Sequence, residues 1–513
     1  MLFNSFIFIF IFLPVTLFFF HLAGKSGYKR IAIAWLVVAS LFFYGWWNIY
    51  YLWLIIISII FNYIVGVYLQ KSINKKFILI FGIVANLALL LYYKYANFFV
   101  ENLTIFFENQ IFIENIALPL AISFFTFQQI GYLVDIKKGL KTNYSFLNYC
   151  IFVSFFPQLI AGPIVHHRQM VPQFIQDTIY KVRSKNLVIG FTIFTLGLFK
   201  KVLLADNAAL YADPTFSLAE TGIPISFFDA WLGVLAYSFQ LYFDFSGYSD
   251  MAVGLARMFG IYLPINFNSP YKSTSIIEFW RRWHITLSSF LRDYLYIPLG
   301  GGRRGGGRKM LNIMITMVIG GMWHGAGWLF LLWGGIHGLY LVINHMWNII
   351  VKNKMWAPVS WLITMLAVVV AWVPFRSEGL VGAVNIWSGM IGLNGFILPE
   401  IYINFLNNLN MFGEYLLSIG VQSGNTDYFI GSEGLVVLLL LFFITLLLPN
   451  TYQFMSKYHK RFFGVAERAP TQQRINIFFK WRPTFLWSII ISLLFALSVL
   501  DLFSVAEFIY FQF

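Results

Sequence analysis

Charge is scarce in this sequence: Asp, Glu, Lys and Arg make up 11% of its 513 residues, against 59% hydrophobic ones, and the mean hydropathy is +0.73. So few charges cannot cover the surface of a soluble domain of this length. Apolar runs recur along the whole chain, and the reading is an all-α polytopic membrane protein. Cysteine is almost missing too. With Cys150 alone, an internal disulfide and any multi-cysteine metal site are excluded, and a small apolar residue in a helix accounts for it. No internal repeat, low-complexity tail or linker divides the chain, which leaves one integral membrane domain over 1–513. The first apolar stretch, 2–20, has no basic residue ahead of it and no small-residue cleavage pattern after it. It reads as a retained span, not a signal peptide.

The formal charge is +14, yet no soluble basic domain exists to hold nucleic acid, so nucleic acid is excluded as a partner. Membrane topology explains the charge better. Basic clusters at 25–30, 71–76, 137–141, 168–185, 257–309, 352–354 and 457–482 should face the cytoplasm. Connections 96–115, 205–225 and 377–433 contain acids (Glu101, Asp206 and Glu378 among them) and no Lys or Arg, and should face outward. The two sets alternate if spans lie near 2–20, 31–44, 49–70, 77–95, 116–134, 187–204, 226–243, 356–375, 434–449 and 484–503, with both termini outside. Two apolar regions, 147–165 and 311–350, begin and end beside basic loops. Each must dip in and return, as a re-entrant element or a helical hairpin inside protein or a wet cavity. The count is about ten to twelve passes plus re-entrant elements.

Against this apolar background stand two Trp-His motifs, FWRRWHITLSSFLRDYLYIPLGG around His284 and GGMWHGAGW around His324. A histidine at lipid depth is costly unless it has a polar task or a partner. Spacing places Trp280, Trp283, Leu287, Phe290 and Tyr294 on one stripe of an amphipathic helix at the cytoplasmic boundary, with His284 toward the protein. A histidine bonded to a backbone carbonyl fits that position as well as a catalytic one, and Arg281 and Arg282 fit headgroup anchors. Gly320, Gly321 and Gly325 flank His324. They either hollow out a substrate channel beside the imidazole or let helices pack closely. With an unperturbed pKa of about 6.5, histidine suits removal of a proton from an alcohol.

A third constellation, 237–252, puts Tyr237, Gln240, Asp244 and Tyr248 on one helical face, and an Asp at membrane depth is a functional candidate by default. The same stripe would also serve to hold helices together. The run GGGRRGGGRK lacks P-loop spacing. Its Arg303, Arg304, Arg308 and Lys309 fit either lipid phosphates or the phosphates of an acyl donor.

These motifs, with FLPVTLFFF, LPLAISFFTFQQIGYLVD, FPQLIAGPIVHHRQM, GLFKKVLLADN, YFDFSGYSDMAVGLARMFG and the terminal FIYFQF, resemble the membrane-bound O-acyltransferase family, and within it the alginate O-acetyltransferase AlgI group. The resemblance covers nearly the whole chain and is weakest over 350–480. It implies acyl transfer to a hydroxyl, with two histidines meeting in a tunnel through a bacterial cytoplasmic membrane, here His284 and His324. It implies acetyl-CoA as cytoplasmic donor substrate with no tightly bound cofactor, an extracytoplasmic polysaccharide as acceptor, and a partner protein with an SGNH-hydrolase-like domain. Trp323, Gln240, Asp244 and Tyr248 are chamber-lining candidates, and His337 is expected to support the chamber.

The expected scheme has His324 as general base on the acceptor hydroxyl and His284 orienting or polarising the reacting groups. Tyr510, flanked by Phe508, Phe511 and Phe513, offers a hydroxyl for a transient acyl relay, or an aromatic anchor at the interface. Two alternatives stand beside this scheme. One is a transporter of a glycan or lipid precursor, against which the missing repeat symmetry argues. The other is the same enzyme class acting on peptidoglycan, teichoic acid or lipid.

Overall fold

The computed structural model describes residues 1–107, 116–140, 144–160, 162–351, 355–408, 413–424, 432–458 and 480–504. Among them regular structure is helical except for one short parallel pair, Ile397–Leu398 with Gln422–Ser423. Among the described residues six helices are long and apolar enough to cross a membrane: Phe8–Lys25, Ile49–Lys71, Lys75–Thr104, Ser184–Glu220, Trp328–Ile350 and Ala357–Arg376. Further passes of the expected ten to twelve rest on helices that are shorter, such as Lys29–Gly45 and Phe485–Leu500, or more polar, such as the 32-residue Phe227–Met258.

Several expected boundaries move, each for a visible reason. The first span starts at Phe8, not at residue 2, and of the residues before it Phe3 and Asn4 are buried. There Phe3 is fully buried and stacks on Tyr248 at 4.7 Å. The span expected at 226–243 continues to Met258, burying the whole polar stripe of the third constellation. Residues 205–220, expected as an outward loop, prolong the preceding helix through a π-helical turn, Lys200–Ala205. Ion pairs hold that turn: the Lys201 ammonium lies 2.6 Å from Asp206 and 2.9 Å from Asp244. Likewise residues 96–107 are helical, continuing the Lys75–Leu90 helix through a second π-helical turn, Leu91–Tyr95.

Of the two regions that broke the alternation, the first is built of short pieces. Phe146–Ser154 bends at Phe155 into Phe156–Leu159, and its nine helical residues reach about 14 Å, half of a hydrocarbon core of roughly 30 Å. Gly306–His324 and Trp328–Ile350 form a helical hairpin whose turn, 325–327, follows His324 directly.

Candidate active site

His324 is the last residue of the Gly306–His324 helix and is 5% exposed. Its ring packs against Trp323, Trp333 and Phe375 at centroid distances of 4.9, 5.0 and 5.2 Å. The neighbouring glycines do not hollow out a channel. A Cβ on Gly321 would strike the Phe330 carbonyl, one on Gly325 would strike the Phe330 ring, and one on Gly320 would press on Leu291 at 3.1 Å. The returning helix and its neighbours fill these positions, so the packing reading holds here. Space beside His324 arises elsewhere. A cavity of about 90 Å³ lies between His324, Trp323, Lys94, Trp47 and the 118–124 segment, and among the described residues no carboxylate lines it.

The end of this helix is fastened from the Leu91–Tyr95 π-helical turn. A helix leaves its last carbonyls without intrahelical donors. The Lys94 ammonium donates to the Trp323 and His324 carbonyls at 2.6 and 3.0 Å, and the Tyr95 hydroxyl donates to the Met322 carbonyl at 2.6 Å. Three successive carbonyls at the histidine are thus satisfied by two adjacent side chains. Lys94 was passed over in the sequence, where the one trace of it is a lone lysine inside an apolar run, YYKYAN.

His284 does not lie on a continuous amphipathic helix, as its spacing suggested. Ile276–Arg282 ends there, Trp283 is extended, and His284 takes a left-handed conformation at φ 39° and ψ 55° before Ile285–Leu291 resumes. A non-glycine residue in that region costs on the order of 1–3 kcal/mol and persists only where its surroundings impose it. Here the imposing partner is the 266–268 strap: Ile285 N–H donates to the Asn266 carbonyl at 2.9 Å, and Asn268 N–H to the Arg282 carbonyl at 2.9 Å. The kink carries the fully buried His284 ring to Phe245 at 4.8 Å and to Trp323 at 6.1 Å. Both histidines therefore meet the same indole.

The other candidates divide. His337 is fully buried, accepts from the Trp280 indole N–H at 3.3 Å, and touches Trp333, which touches His324, so it stands one ring away. Of the third constellation, Phe245 and Tyr242 supply the face toward His284 and Trp283. Asp244 pairs with Lys201, Tyr248 stacks on Phe3, and Gln240 is buried on that same stripe. Arg303, Arg304, Arg308 and Lys309 lie at the opposite end of the histidine's helix, and Lys309 sits 3.3 Å from His345 Nδ1. Tyr510, Phe508, Phe511 and Phe513 lie outside the described residues.

A second polar cluster escaped the sequence reading. His167 Nε2 lies 3.2 Å from Asp135, the Tyr294 hydroxyl donates to the same carboxylate at 3.0 Å, and His166 Nδ1 lies 3.1 Å from that hydroxyl. Stacked rings join it to the site, from Tyr294 through Phe290 and Phe127 to Trp323.

Comparison with known proteins adds to this geometry. The family model for MBOAT, the membrane-bound O-acyltransferase family, matches residues 82–376, which include Lys94 and both histidines. A peptidoglycan O-acetyltransferase of Helicobacter pylori is 45% identical over 445 residues, 80% of this chain and 84% of that protein. A protein of Pseudomonas aeruginosa named as a probable alginate O-acetylase, AlgI, is 41% identical over 424 residues, 80% of this chain and 78% of its own. A teichoic acid D-alanyltransferase of Streptococcus thermophilus is 30% identical over 247 residues, 44% of this chain and 57% of that protein.

Proposed function

The chain belongs to the membrane-bound O-acyltransferase family and is a multi-pass membrane O-acyltransferase, and on that premise we propose that it moves an acetyl group from cytoplasmic acetyl-CoA toward hydroxyls of an alginate-like polysaccharide outside the cytoplasmic membrane of a bacterium. The observation that carries this reading is the meeting of His324 and His284 on Trp323, beside a cavity of about 90 Å³.

In this scheme His324 takes the proton of the acceptor hydroxyl as its oxygen attacks the thioester carbonyl. The carbon–sulfur bond then breaks, and the thiolate recovers the proton. His284 orients the reacting groups from its rigid kink. The basic run Arg303, Arg304, Arg308 and Lys309 would hold the donor's phosphates at and just before the start of the helix that ends at His324, about 23 Å away along its axis from Lys309, a reach that requires an extended donor. The acceptor hydroxyl of this step would be that of Tyr510, whose acetyl ester is then passed to an SGNH-type extracytoplasmic transferase with the phenol reformed. Tyr510→Phe keeps the ring and removes the acceptor oxygen: loss of glycan acetylation with stable protein supports the relay, and full activity removes it.

A peptidoglycan acceptor is a second reading, favoured by the 45% identity to the Helicobacter pylori peptidoglycan O-acetyltransferase. One experiment separates them. The protein in lipid nanodiscs, with radiolabelled acetyl-CoA and the cognate extracytoplasmic partner, is offered alginate and muropeptides side by side. Label in alginate supports the first reading and label in muropeptides the second. In either case His324→Ala should reduce incorporation about a hundredfold or more. An unlabelled product with every glycan overturns acetyl-CoA as donor.

A further inference from the structure

Lys94 carries more than a capping role requires. It sits in the middle of an apolar helix, Lys75–Thr104, where a charge is expensive. Lys201 and Lys200 are neutralised, the first by two aspartates and the second by Asp250 at 2.7 Å, whereas Lys272, like Lys94, donates to a backbone carbonyl, that of Leu448 at 2.8 Å. Among the described residues no carboxylate pairs with Lys94, and its partners are the carbonyls of Trp323 and His324. Those carbonyls, at a helix C-terminus, present roughly half a negative charge and use two of three ammonium N–H bonds. A neutral donor would have closed the helix equally well, as the adjacent Tyr95 hydroxyl shows at Met322.

The remaining charge and the third N–H belong to a group that lines the same cavity as His324. Trp323 lines it too, and its indole N–H, buried with the side chain 4% exposed, has no acceptor among the described residues. Among the described residues the lining holds one ammonium and no carboxylate, a setting that suits a negatively charged oxygen formed only during reaction.

We propose that Lys94 is a catalytic residue that fixes the helix end bearing His324 and stabilises the oxyanion of the acyl-transfer intermediate. The inference rests on the reading of His324 as general base. As the acceptor oxygen bonds to the thioester carbon and His324 takes its proton, the carbonyl electron pair moves onto oxygen. The Lys94 N–H donates to that oxygen until the pair returns, the carbon–sulfur bond breaks and the thiolate leaves with the proton from His324. A preformed donor of this kind stabilises the transition state more than the ground state, so its loss falls on kcat and not on KM.

The test uses the full chain in nanodiscs with Cys150→Ser as parent, and follows thioester consumption across a panel of acyl-CoA donors. Lys94→Met should lower kcat on the order of a hundredfold with donor KM within about twofold. Tyr95→Phe, which removes only a cap, should lose less than about tenfold. Lys94→Cys treated with 2-bromoethylamine, which rebuilds an ammonium of lysine length, should recover at least a tenth of the parent rate. Hydrogen exchange at 318–326 should rise in Lys94→Met. Equal losses in Lys94→Met and Tyr95→Phe, or no recovery in folded, fully aminoethylated protein, would overturn the proposal. A parent inert with acetyl-CoA but active with another thioester revises the donor alone, and Lys94 is then judged on that thioester. Full activity in His324→Ala removes the general base while leaving the Lys94 ratio readable.

Discussion

Lys94 and Lys201 occupy matching places: each lies on a π-helical turn inside a long apolar helix, Leu91–Tyr95 in one and Lys200–Ala205 in the other. Their surroundings are opposite. Lys201 lies between Asp206 and Asp244, both within 2.9 Å, and its side chain is 2% exposed. Lys94 reaches carbonyls and a cavity that no carboxylate lines among the described residues. A π-helical turn frees carbonyls and re-aims side chains, which is why such turns recur at functional sites. The two lysines show that this is not sufficient: what surrounds the charge decides whether the turn joins helices or serves chemistry.

The largest expected effect lies on the joining side. Lys201→Met strands two buried carboxylates and should destabilise the protein by about 3–5 kcal/mol, with little folded protein recovered from membranes by fluorescence size-exclusion chromatography. Adding Asp206→Asn and Asp244→Asn should restore much of that yield. Failure of the triple variant to recover would mean that Lys201 does more than neutralise its partners. Lys94→Met should leave that yield close to wild type, and a collapse like that of Lys201→Met would erase the contrast.

Smaller effects sharpen the picture around the histidines. Gly321→Ala forces a methyl into the Phe330 carbonyl, whereas Gly335 on the facing helix has open space. The first should cost about 1–3 kcal/mol and Gly335→Ala nearly nothing, read as melting temperature in one detergent. At position 284, Gly accepts the left-handed conformation that Ala resists. His284→Gly and His284→Ala should therefore both lose activity, with the glycine variant more stable by about 1 kcal/mol. Equal melting temperatures would show that the kink relaxes once the imidazole is gone. Least of all, replacing Arg303, Arg304, Arg308 and Lys309 by Gln should raise donor KM a few-fold at low salt and little at high salt. Unchanged KM at low salt would assign the run to lipid headgroups.

The parts of this site that were legible in the sequence are those with a local signature. The two Trp-His motifs stood out because histidine is rare in apolar runs, and the hairpin at 311–350 followed from basic residues at both of its ends. The break at His284 was hidden because the aromatic spacing of Trp280, Trp283 and Leu287 survives a single left-handed residue, while the strap that imposes it comes from Asn266 and Asn268. Glycines beside His324 read identically whether they leave a hollow or admit a neighbour, and only Phe330 decides. Lys94 was invisible for the plainest reason: the carbonyls that it caps lie 229 and 230 residues along the chain.

The central claim, that Lys94 and His324 act on one transition state, is tested most directly by a double-mutant cycle on kcat for thioester consumption with Lys94→Met, His324→Ala and the pair. An oxyanion donor still acts on the slower route that remains when the general base is lost, so the double variant should be slower than His324→Ala by more than about tenfold. A double variant no slower than His324→Ala would contradict the account and leave the lysine a role only in placing the histidine.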